Sequence, residues 1–423
     1  MKKILTIEDY VSHWLIRIFG IKIKIKRNAS TLVAENQKKK INEIRNKIGK
    51  EKIRVGFLVS ESSKWSYGSI YDLFERNPRY EPVILITQLE IVHSGKTADY
   101  LPIEECFNFF KDQGYRVDWA YDNASNSYLD IDEKKIDLLF YQQPWELPPK
   151  QMPACVSKSA LTLYVPYGEN NMPAPEEYMR IFHGFLWKYF IKNKEYQDDL
   201  ERSVGYEFNN CYCVGSPKLD VYLTGKETKV DKIKPKIIYA PHHSFEESSL
   251  RTATFQSNGK QILELAERTS KSIDWVLRPH PRFKMAVIHN GIMNREEIDD
   301  YYKRWRKIGD ICEGGDYFKL FKSSSGLITD CISFLAEYLP TKAPVFRLVN
   351  DKQRVAYSRW MEIVLRSYYN EGTYNDFERD FKRVILNGDD WKFDERVANV
   401  PLVVDYTSTS ASKVFDIIEE EFL

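Results

Sequence analysis

The chain has 423 residues, of which 62 are Lys or Arg and 61 are Asp or Glu, so its formal net charge is +1. A chain of this length is too long to be built around one hydrophobic core, and it predicts two domains. The nearly balanced charge produces no overall basic field, which excludes a nucleic-acid-binding protein of the usual basic kind.

The cysteines and the apolar runs limit the cellular setting. The six cysteines form no Cys-x-x-Cys pair and no spacing typical of a metal site, which is usual for a reduced intracellular protein. No run approaches the roughly 18 to 20 apolar residues that span a bilayer, and the amino terminus lacks a signal-peptide cleavage site. We therefore expect a cytoplasmic protein.

Residues 1–50 form an amphipathic and basic extension. Residues 21–27 alternate isoleucine with lysine and end in arginine, and the apolar side chains before them recur at the spacing of one helix face: Ile4, Ile7, Val11, Trp14, Leu15 and Ile18. One interpretation is a helix that binds an anionic membrane surface, peripherally on the inner face of the cytoplasmic membrane. The alternative is a helix packed on the first domain and followed by an edge strand. Residues 34–51 then predict a solvated helix.

Residues 51–214 alternate strands with helices, which predicts an α/β domain with a parallel sheet covered on both faces. The predicted strands are 53–59, 81–87, 116–121, 136–142, 161–165 and 210–214. The predicted helices are 64–75, 100–113 and 176–196. Residues 215–235 are polar and end in proline, which predicts a linker.

Two loops of the first domain carry polar residues at strand ends. The Ser60–Trp65 segment follows the first strand, and its polar side chains are typical of a cap for the next helix. The Pro166–Asn171 segment follows a later strand, and Gly168 there allows the backbone to approach a ligand closely. The neighbouring side chains that can bind hydroxyl groups are Glu169, Asn170 and Asn171.

Residues 236–400 predict a second α/β domain, and residues 401–423 end in a helix that can pack back across the domain junction. The predicted strands are 237–240, 275–278, 326–329 and 345–348. The predicted helices are 259–268, 317–322, 331–339, 354–367, 377–385 and 414–422.

Polar residues follow three strands of the second domain. These segments are Tyr239–Ser244, Leu277–Arg282 and Leu327–Ser333. In an open parallel sheet, ligands bind at the carboxyl ends of the strands. We therefore expect the three segments to form one site.

His280 lies between Pro279 and Pro281, directly after a predicted strand. The prolines prevent helical geometry and hold the histidine at the end of the strand. An imidazole there can donate to a phosphate oxygen or protonate a leaving group near neutral pH, and Arg278 can contact a pyrophosphate with two hydrogen bonds. We expect His280 to be catalytic.

His242, His243 and Ser244 form a second group of hydrogen-bond donors at a neighbouring strand end. Adjacent side chains of an extended chain point in opposite directions, so we expect one histidine to contact the ligand and the other to pack. A metal site is the competing interpretation of three histidines. Their spacing matches no usual ligand set, and we expect no metal and no required cofactor. The chain also lacks the dinucleotide, P-loop and nucleophile-elbow motifs.

A helix is predicted to begin directly after the strand that ends near Asp330. The backbone N–H groups of Cys331, Ile332 and Ser333 are then unpaired and can bind a phosphate, to which Ser333 adds a hydroxyl. Asp330 would repel a phosphate, and we expect it to cap this helix and align the loop. Glu337, one turn further, either reaches a ribose hydroxyl or lies on a solvated face.

The order of four segments resembles that of the CDP-glycerol glycerophosphotransferase family, the teichoic-acid and capsule polymerases. In that family Gly-x-Pro-Arg-x-Asp precedes Tyr-Ala-Pro, then a His-Pro pair, then Ile-Thr-Asp-Tyr-Ser-Ser with an acid one turn on. This chain has Gly215–Asp220, Tyr239–Pro241, His280–Pro281 and Ile328–Ser333 with Glu337. The resemblance covers roughly 190 residues, from 161 to 348, and implies a GT-B fold of two Rossmann-like domains facing a central cleft.

The resemblance implies a transferase that moves a glycerol-phosphate-like group from a CDP-activated donor to a hydroxyl of a cell-surface glycan or lipid-linked acceptor, releasing CMP. Donor binding would use His242, His243, Ser244, Arg278, Asp330, Cys331, Ile332, Ser333 and Glu337. The acceptor would contact Gly168, Asn170 and Asn171. The family takes its base from a Trp-His-Gly loop, where this chain has Pro166-Tyr167-Gly168. Tyr167 and Glu169 are therefore the candidate catalytic residues of this loop. Because tyrosine is a poor base at neutral pH, either Glu169 or another residue takes the proton, or the acceptor differs, or the protein is not a polymerase.

Two alternatives remain open. A GT-B glycosyltransferase using a CMP-activated sugar, similar to bacterial sialyltransferases, would use His280–Pro281 and the serines at 323–325, with Glu169 or Glu61 as its acid or base. A non-catalytic module that binds a glycan or nucleotide would explain the missing loop histidine.

Overall fold

A computed structural model describes the backbone of residues 5–10, 13–18, 21–26 and 29. It describes backbone and side chains of residues 30–93, 102–173, 181–204, 208–224, 234–245, 248, 250–313 and 317–423. The chain divides into two compact units. The first comprises residues 1–167, 174–218 and 407–423, and the second comprises residues 168–173 and 219–406.

The first unit is built on a seven-stranded sheet in which every pair of neighbours is parallel. Its strands are β4 (Ile53–Val59), β5 (Tyr80–Ile86), β6 (Val117–Trp119), β9 (Leu138–Tyr141), β10 (Leu161–Tyr164), β11 (Lys188–Ile191) and β12 (Cys211–Cys213), in the order β12-β11-β10-β9-β4-β5-β6. A separate antiparallel pair is formed by β7 (Tyr121–Asp122) and β8 (Ser127–Tyr128). The central strands are almost wholly buried, because helices cover both faces of a parallel sheet.

The helices of the first unit pack around this sheet. They are Ala29–Lys47, Gly68–Arg76, Glu90–His93, Ile103–Asp112, Pro153–Val156, Lys194–Val204 and Ser410–Glu419. The last of these completes the core of the first unit: the ring of Phe415 lies 5.1 Å from that of Phe74, and the hydroxyl of Tyr80 donates to Glu419.

The second unit is built on a six-stranded parallel sheet. Its strands are β13 (Lys236–Ala240), β14 (Asp274–Leu277), β15 (Gly309–Ile311), β16 (Gly326–Thr329), β17 (Val345–Leu348) and β18 (Tyr369–Glu371), in the order β15-β14-β13-β16-β17-β18. Its helices are Val221–Thr224, Phe255–Thr269, Phe283–His289, Arg295–Ile308, Tyr317–Ser323, Ile332–Tyr338, Arg359–Arg366, Tyr374–Phe381 and Phe393–Asn399. The α/β class with parallel sheets is therefore confirmed.

The helix predicted at the amino terminus is wrong. The segments β1 (Leu5–Tyr10), β2 (His13–Ile18) and β3 (Ile21–Lys26) form an antiparallel sheet in the order β1-β2-β3. The alternation of apolar and basic residues in β3 has the period of a strand, and this strand pairs with the segment before it. The amphipathic helix on which the membrane interpretation depended is therefore replaced by strands. Among the helices that the structure describes, none is long and apolar enough to cross a membrane.

The single helix predicted at 176–196 is interrupted where the structure describes this stretch. Ile181 is helical, but the 3-10 turn His183–Phe185 and strand β11 follow it, and the helix Lys194–Val204 begins only near the end of the predicted range. All four residues of β11 are buried, and its aromatic and β-branched side chains suit a strand inside a parallel sheet. Residues 174–180 lie outside the described part of the chain.

The helix Arg295–Ile308 was not predicted, although the sequence carries its start signal. Asn294 accepts a hydrogen bond from the backbone N–H of Glu297, whose carboxylate accepts from the backbone N–H of Asn294. This reciprocal capping box stabilises the helix start and is visible as Asn-x-x-Glu in the sequence. Within the predicted linker, residues 217–224 form the 3-10 turn Pro217–Asp220 and the short helix Val221–Thr224, and residues 225–233 lie outside the described residues.

Candidate functional site

The three predicted polar segments of the second unit follow adjacent strands at the centre of its sheet. Strand β13 lies between β14 and β16 and is parallel to both, with Tyr239 opposite Leu277 and Ala240 opposite Thr329. The carboxyl ends of the three strands are therefore level. The loops that follow them meet at one edge of the sheet, as expected from the strand order.

Three imidazole rings meet at this edge. The ring centre of His243 lies 3.9 Å from that of His280, with the planes nearly parallel, and 4.3 Å from that of His242. The rings of His242 and His280 are 5.1 Å apart. The expectation that the side chains of the two adjacent histidines point in opposite directions is wrong, because β13 ends at Ala240 and strand alternation does not extend to residues 242 and 243.

The hydrogen bonds of two of these rings fix where their protons lie. The backbone N–H of Ser244 donates to Nδ1 of His242 at 3.3 Å, and the backbone N–H of Arg282 donates to Nδ1 of His280 at 3.1 Å. A ring nitrogen that accepts a hydrogen bond carries no proton, so each neutral ring has its proton on Nε2. His242 and His280 therefore each carry an N–H donor on Nε2.

The environment keeps these histidines uncharged at neutral pH. Burial, together with the nearby Arg282, lowers the pKa of His243 to about 4. Burial, His243, Arg282 and Arg278 lower the pKa of His280 to about 3. Burial and the other two histidines hold the pKa of His242 well below its usual 6.5. An anion bound at this cluster would contact uncharged imidazole donors and would be attracted by the positive charges of Arg278 and Arg282.

The same cluster has the composition of a metal site. One ligand atom of each of His242, His243 and His280 lies within 4.8 Å of the other two. A histidine that binds a metal uses the lone pair of one nitrogen and usually donates with the other. Because Nδ1 of His242 and of His280 accepts from backbone N–H groups, this pattern is reversed in two of the three residues. The donor set favours an anion over a metal ion.

Asp330 holds two loops of the site together. It is buried, and its carboxylate accepts from the backbone N–H of His242 at 2.6 Å and from both the backbone N–H and the hydroxyl of Thr254 at 2.7 and 2.9 Å. Desolvation raises the pKa of Asp330 to about 6 despite these bonds. Asp330 was expected to cap the helix that follows it, but it instead fixes the N-cap residue of the helix Phe255–Thr269, and the helix Ile332–Tyr338 has Cys331 as its N-cap.

Arg278 is a buried cation that no described carboxylate neutralises. Its side chain is only 7% exposed, Nη1 donates to the carbonyl of Cys312 at 2.8 Å, and Nε has no partner among the described residues. The guanidinium lies 5.7 Å from the ring centre of Tyr317. Burial of a charge is costly unless an opposite charge is present, so this arrangement is suited to an anionic ligand.

The residues predicted to bind a phosphate at the start of the helix Ile332–Tyr338 are only partly accessible to solvent. Cys331 and Ile332 are buried, and Ser333 is exposed. Glu337 is buried rather than solvated, and its carboxylate accepts from the hydroxyl of Tyr317 at 2.7 Å. Tyr317 therefore lies between Glu337 and Arg278, a role that the sequence did not indicate.

The loop Gly168–Asn171 belongs to the second unit, although it was expected in the first domain. Asn171 donates from Nδ2 to the carbonyl of Ile332 at 2.7 Å, and its own carbonyl accepts from the backbone N–H of Ser358 at 2.9 Å. The carbonyl of Asn170 accepts from the hydroxyl of Ser358 at 2.9 Å. Glu169 is 4% exposed. Long-range hydrogen bonds place this loop beside the start of the helix Ile332–Tyr338.

The serine run at 323–325 lies away from the histidines. It precedes β16, at the amino end of the strand, whereas the histidines lie at the carboxyl edge. The hydroxyl of Ser324 bonds to the carbonyl of Phe321 at 2.7 Å and to the hydroxyl of Tyr338 at 2.6 Å, and Ser325 accepts from the backbone N–H of Lys236 at 3.2 Å. These serines join the ends of secondary-structure elements.

Thr252 and Thr254 hold the site together, and the sequence reasoning did not single them out. The hydroxyl of Thr252 lies 2.6 Å from that of Ser244, which lies 2.7 Å from Nδ1 of His242. Thr254 is the N-cap residue of the helix Phe255–Thr269, but its side chain makes no capping bond, because its hydroxyl donates to Asp330. The position before a helix is visible in the sequence as one that favours threonine, whereas the long-range partner Asp330 is not.

Comparisons with known proteins identify the fold. No protein-family model and no curated protein sequence matches the chain. Among solved structures, UDP-GlcNAc 2-epimerase from Neisseria meningitidis bound to UDP-GlcNAc is similar with a TM-score of 0.57 and 11% identity, over 87% of this chain and 100% of that one. The wall teichoic acid polymerase TagF, in a variant soaked with CDPG for 15 minutes, is similar with a TM-score of 0.54 and 15% identity, over 93% and 95% of the two chains.

A putative UDP-N-acetylglucosamine 2-epimerase from Listeria monocytogenes has a TM-score of 0.52 and 13% identity, over 88% of this chain and 97% of that one. Identities this low establish the fold and leave the activity open. The fold is GT-B, with two Rossmann-like domains, as the resemblance implied.

Proposed function

We propose that the protein is a GT-B transferase that moves an alditol-phosphate group, similar to glycerol phosphate, from a CDP-activated donor to a hydroxyl of a cell-surface glycan or lipid-linked acceptor. The observation that carries this proposal is the buried guanidinium of Arg278, which no carboxylate of the described residues neutralises, together with three uncharged imidazoles at the carboxyl edge of a parallel sheet. This combination of donors and positive charge suits a diphosphate.

The reaction joins the acceptor to the distal phosphate of the donor. The acceptor oxygen forms a bond to that phosphorus, the bond from phosphorus to the bridging oxygen breaks, and its electron pair leaves with CMP. The acceptor hydroxyl gives its proton to a base. The proposed work of His242, His280 and Arg278 is to donate to the diphosphate oxygens as negative charge shifts toward the leaving group, which is the main source of acceleration in such transfers.

Two further observations support the CDP-linked donor. The motif order from Gly215 to Glu337 resembles the CDP-glycerol glycerophosphotransferase family. The similar structures are described with CDPG in TagF and with UDP-GlcNAc in the epimerase, both compounds of a nucleotide. The alternative of a CMP-sugar glycosyltransferase loses the serine motif assigned to it, because Ser324 and Ser325 make structural hydrogen bonds at the other end of β16.

Binding and product analysis test this proposal together. Thermal shifts with CMP, CDP, UDP and GDP show which nucleotide, and therefore which nucleobase, the protein binds, because a bound ligand raises the apparent stability. Incubation with CDP-glycerol and a panel of glycan and lipid-linked acceptors should release CMP and leave a phosphodiester, detected by phosphorus NMR. A glycosidic bond formed from a CMP-sugar would establish the alternative instead. Binding of CDP compounds without any turnover would point to a non-catalytic module.

A further inference from the structure

The carboxyl edge of the first unit's sheet carries a second cluster of polar and aromatic residues. Strands β4, β9 and β10 are neighbours in that sheet and all run parallel. Their ends are followed by residues 60–65, 142–145 and 165–167. These three segments therefore lie side by side at the edge where α/β sheets bind ligands.

A buried glutamine sets the backbone of this edge. The side-chain oxygen of Gln142 accepts from the backbone N–H groups of Ser60 and Glu61 at 3.0 and 3.1 Å, and its amide nitrogen donates to the carbonyl of Glu61 at 2.8 Å. Gln142 is 1% exposed. The backbone N–H and the carbonyl of Glu61 are thus both bonded to the side chain of Gln142, which follows the neighbouring strand β9. These two bonds fix the backbone of Glu61 and so the direction of its side chain.

Lys64 connects the charged and the aromatic parts of the cluster. Its ammonium group donates to the carboxylate of Glu61 and to the side-chain oxygen of Gln143, the latter at 2.9 Å. The same group lies 5.7 Å from the ring centre of Trp145 and 5.6 Å from that of Tyr167. The two rings meet edge to face, 6.0 Å apart, and both are half-buried.

Helix capping does not account for these residues. Residues 60–65 were expected to cap the next helix, but Glu61, at the start of the 3-10 turn Ser62–Lys64, makes no side-chain capping bond. Tyr67, at the start of the helix Gly68–Arg76, makes none either. The side chains of Glu61 and Lys64 keep 23% and 19% of their surface exposed, so the pair is accessible from solvent.

We propose that Glu61, Lys64, Trp145 and Tyr167 bind the acceptor, and that the acceptor is a glycan whose terminal pyranose packs on the two rings. Gln143, which is 1% exposed, accepts from Lys64 and donates to the carbonyl of Trp145 at 3.0 Å, and so positions both residues. This inference rests on the proposed transferase function and specifies its second substrate. The rings offer an apolar surface for the C–H face of a sugar, and the carboxylate and ammonium groups offer both acceptors and donors for its hydroxyls.

The charge of the cluster selects a neutral ligand. Glu61 neutralises Lys64 directly, so the cluster lacks the excess positive charge that a phosphate-rich polymer would need. Arg278 in the second unit shows the contrasting arrangement, a cation without a described carboxylate partner. We therefore assign neutral sugar hydroxyls to the first unit and phosphate to the second.

Saturation-transfer NMR with the full chain tests this assignment. The probes are methyl glycosides of N-acetylglucosamine, glucose and galactose, with a tri(glycerol phosphate) as the charged competitor. At least one glycoside should bind, and Trp145→Ala and Glu61→Gln should each weaken that binding at least tenfold. Phe109→Ala, which removes an exposed aromatic ring outside the cluster in the first unit, is the control and should leave glycoside binding unchanged.

A CMP thermal shift, measured on every variant, separates this inference from the proposed function. Trp145→Ala with normal CMP binding and lost glycoside binding supports the assignment. Glycoside binding that survives both Trp145→Ala and Glu61→Gln overturns it, as does binding of the tri(glycerol phosphate) alone. If CMP fails to bind the wild-type protein while a glycoside does, the donor proposal fails and the sugar site stands.

Discussion

The carboxylate of Asp330 accepts a hydrogen bond from the backbone N–H of His242 at 2.6 Å, across the carboxyl ends of two neighbouring strands. Its other oxygen accepts two hydrogen bonds from Thr254. One buried side chain at the end of β16 thereby fixes the positions of two segments, the loop that contains His242 and the start of the helix Phe255–Thr269.

Replacing Asp330 should therefore reduce both stability and donor binding. In Asp330→Asn the amide N–H₂ group faces the N–H and O–H donors of Thr254, which leaves buried donors unpaired and should cost about 2 kcal/mol in the free energy of unfolding. Urea unfolding measures this cost. Asp310→Asn, on an exposed edge strand, should change stability by less than about 0.5 kcal/mol. Equal effects of the two substitutions would contradict the role given to Asp330.

His280→Ala should lower turnover by more than about 100-fold, the range expected for a positioned donor that stabilises transition-state charge. CMP release from the donor in the presence of acceptor measures this rate. His289→Ala removes an exposed histidine at the end of the helix Phe283–His289 and should leave the rate unchanged. Turnover that is unaffected by His280→Ala would remove this residue from the mechanism.

Arg278→Met should separate binding from stability. Loss of the guanidinium should weaken CDP binding at least tenfold, because the diphosphate loses its charged partner. The ligand-free variant should be no less stable than the wild type, since a buried charge with no carboxylate partner among the described residues has been replaced by an apolar chain of similar size. Thermal unfolding with and without CDP measures both effects. A large loss of stability with unchanged CDP binding would assign Arg278 a structural role.

The pH dependence of the free energy of unfolding should change in opposite directions in His280→Gln and in Asp330→Asn. The folded pKa values of His243 and His280, about 4 and 3, lie below the ordinary 6.5, so their contribution to stability is present above pH 6.5 and is lost as the pH falls toward 3. The folded pKa of Asp330, about 6, lies above its ordinary 3.8, so its contribution is present below 3.8 and is lost as the pH rises through 6.

Between pH 4 and 6 the two effects oppose each other. His280→Gln should therefore make the free energy of unfolding rise less steeply with pH, and Asp330→Asn should make it rise more steeply. Urea unfolding at half-unit intervals of pH measures both slopes. If either slope moves in the other direction, the protonation states assigned to the site are incorrect.

Several parts of the fold could be predicted from the sequence because they depend on local patterns. The strands Ile53–Val59, Gly326–Thr329 and Val345–Leu348 have the predicted bounds, since buried parallel strands are short apolar runs that end at polar residues. The meeting of the histidine and Asp330 loops followed from the same pattern, because parallel strands end at one edge. Residues 21–26 show that this information was present at the amino terminus as well, where strand alternation was the correct signal.

Other features were decided only by the tertiary structure. The loop Gly168–Asn171 lies in the second unit because Ser358 and Ile332, more than 150 residues away, bond to it. Thr254, 76 residues from Asp330, became its partner in the same way. By itself the sequence determined which segments form strands and where they end, since that depends on burial and periodicity within each segment. The fold decided which side chains meet there and which charges, such as that of Arg278, have no carboxylate beside them among the described residues, because those depend on contacts between distant segments.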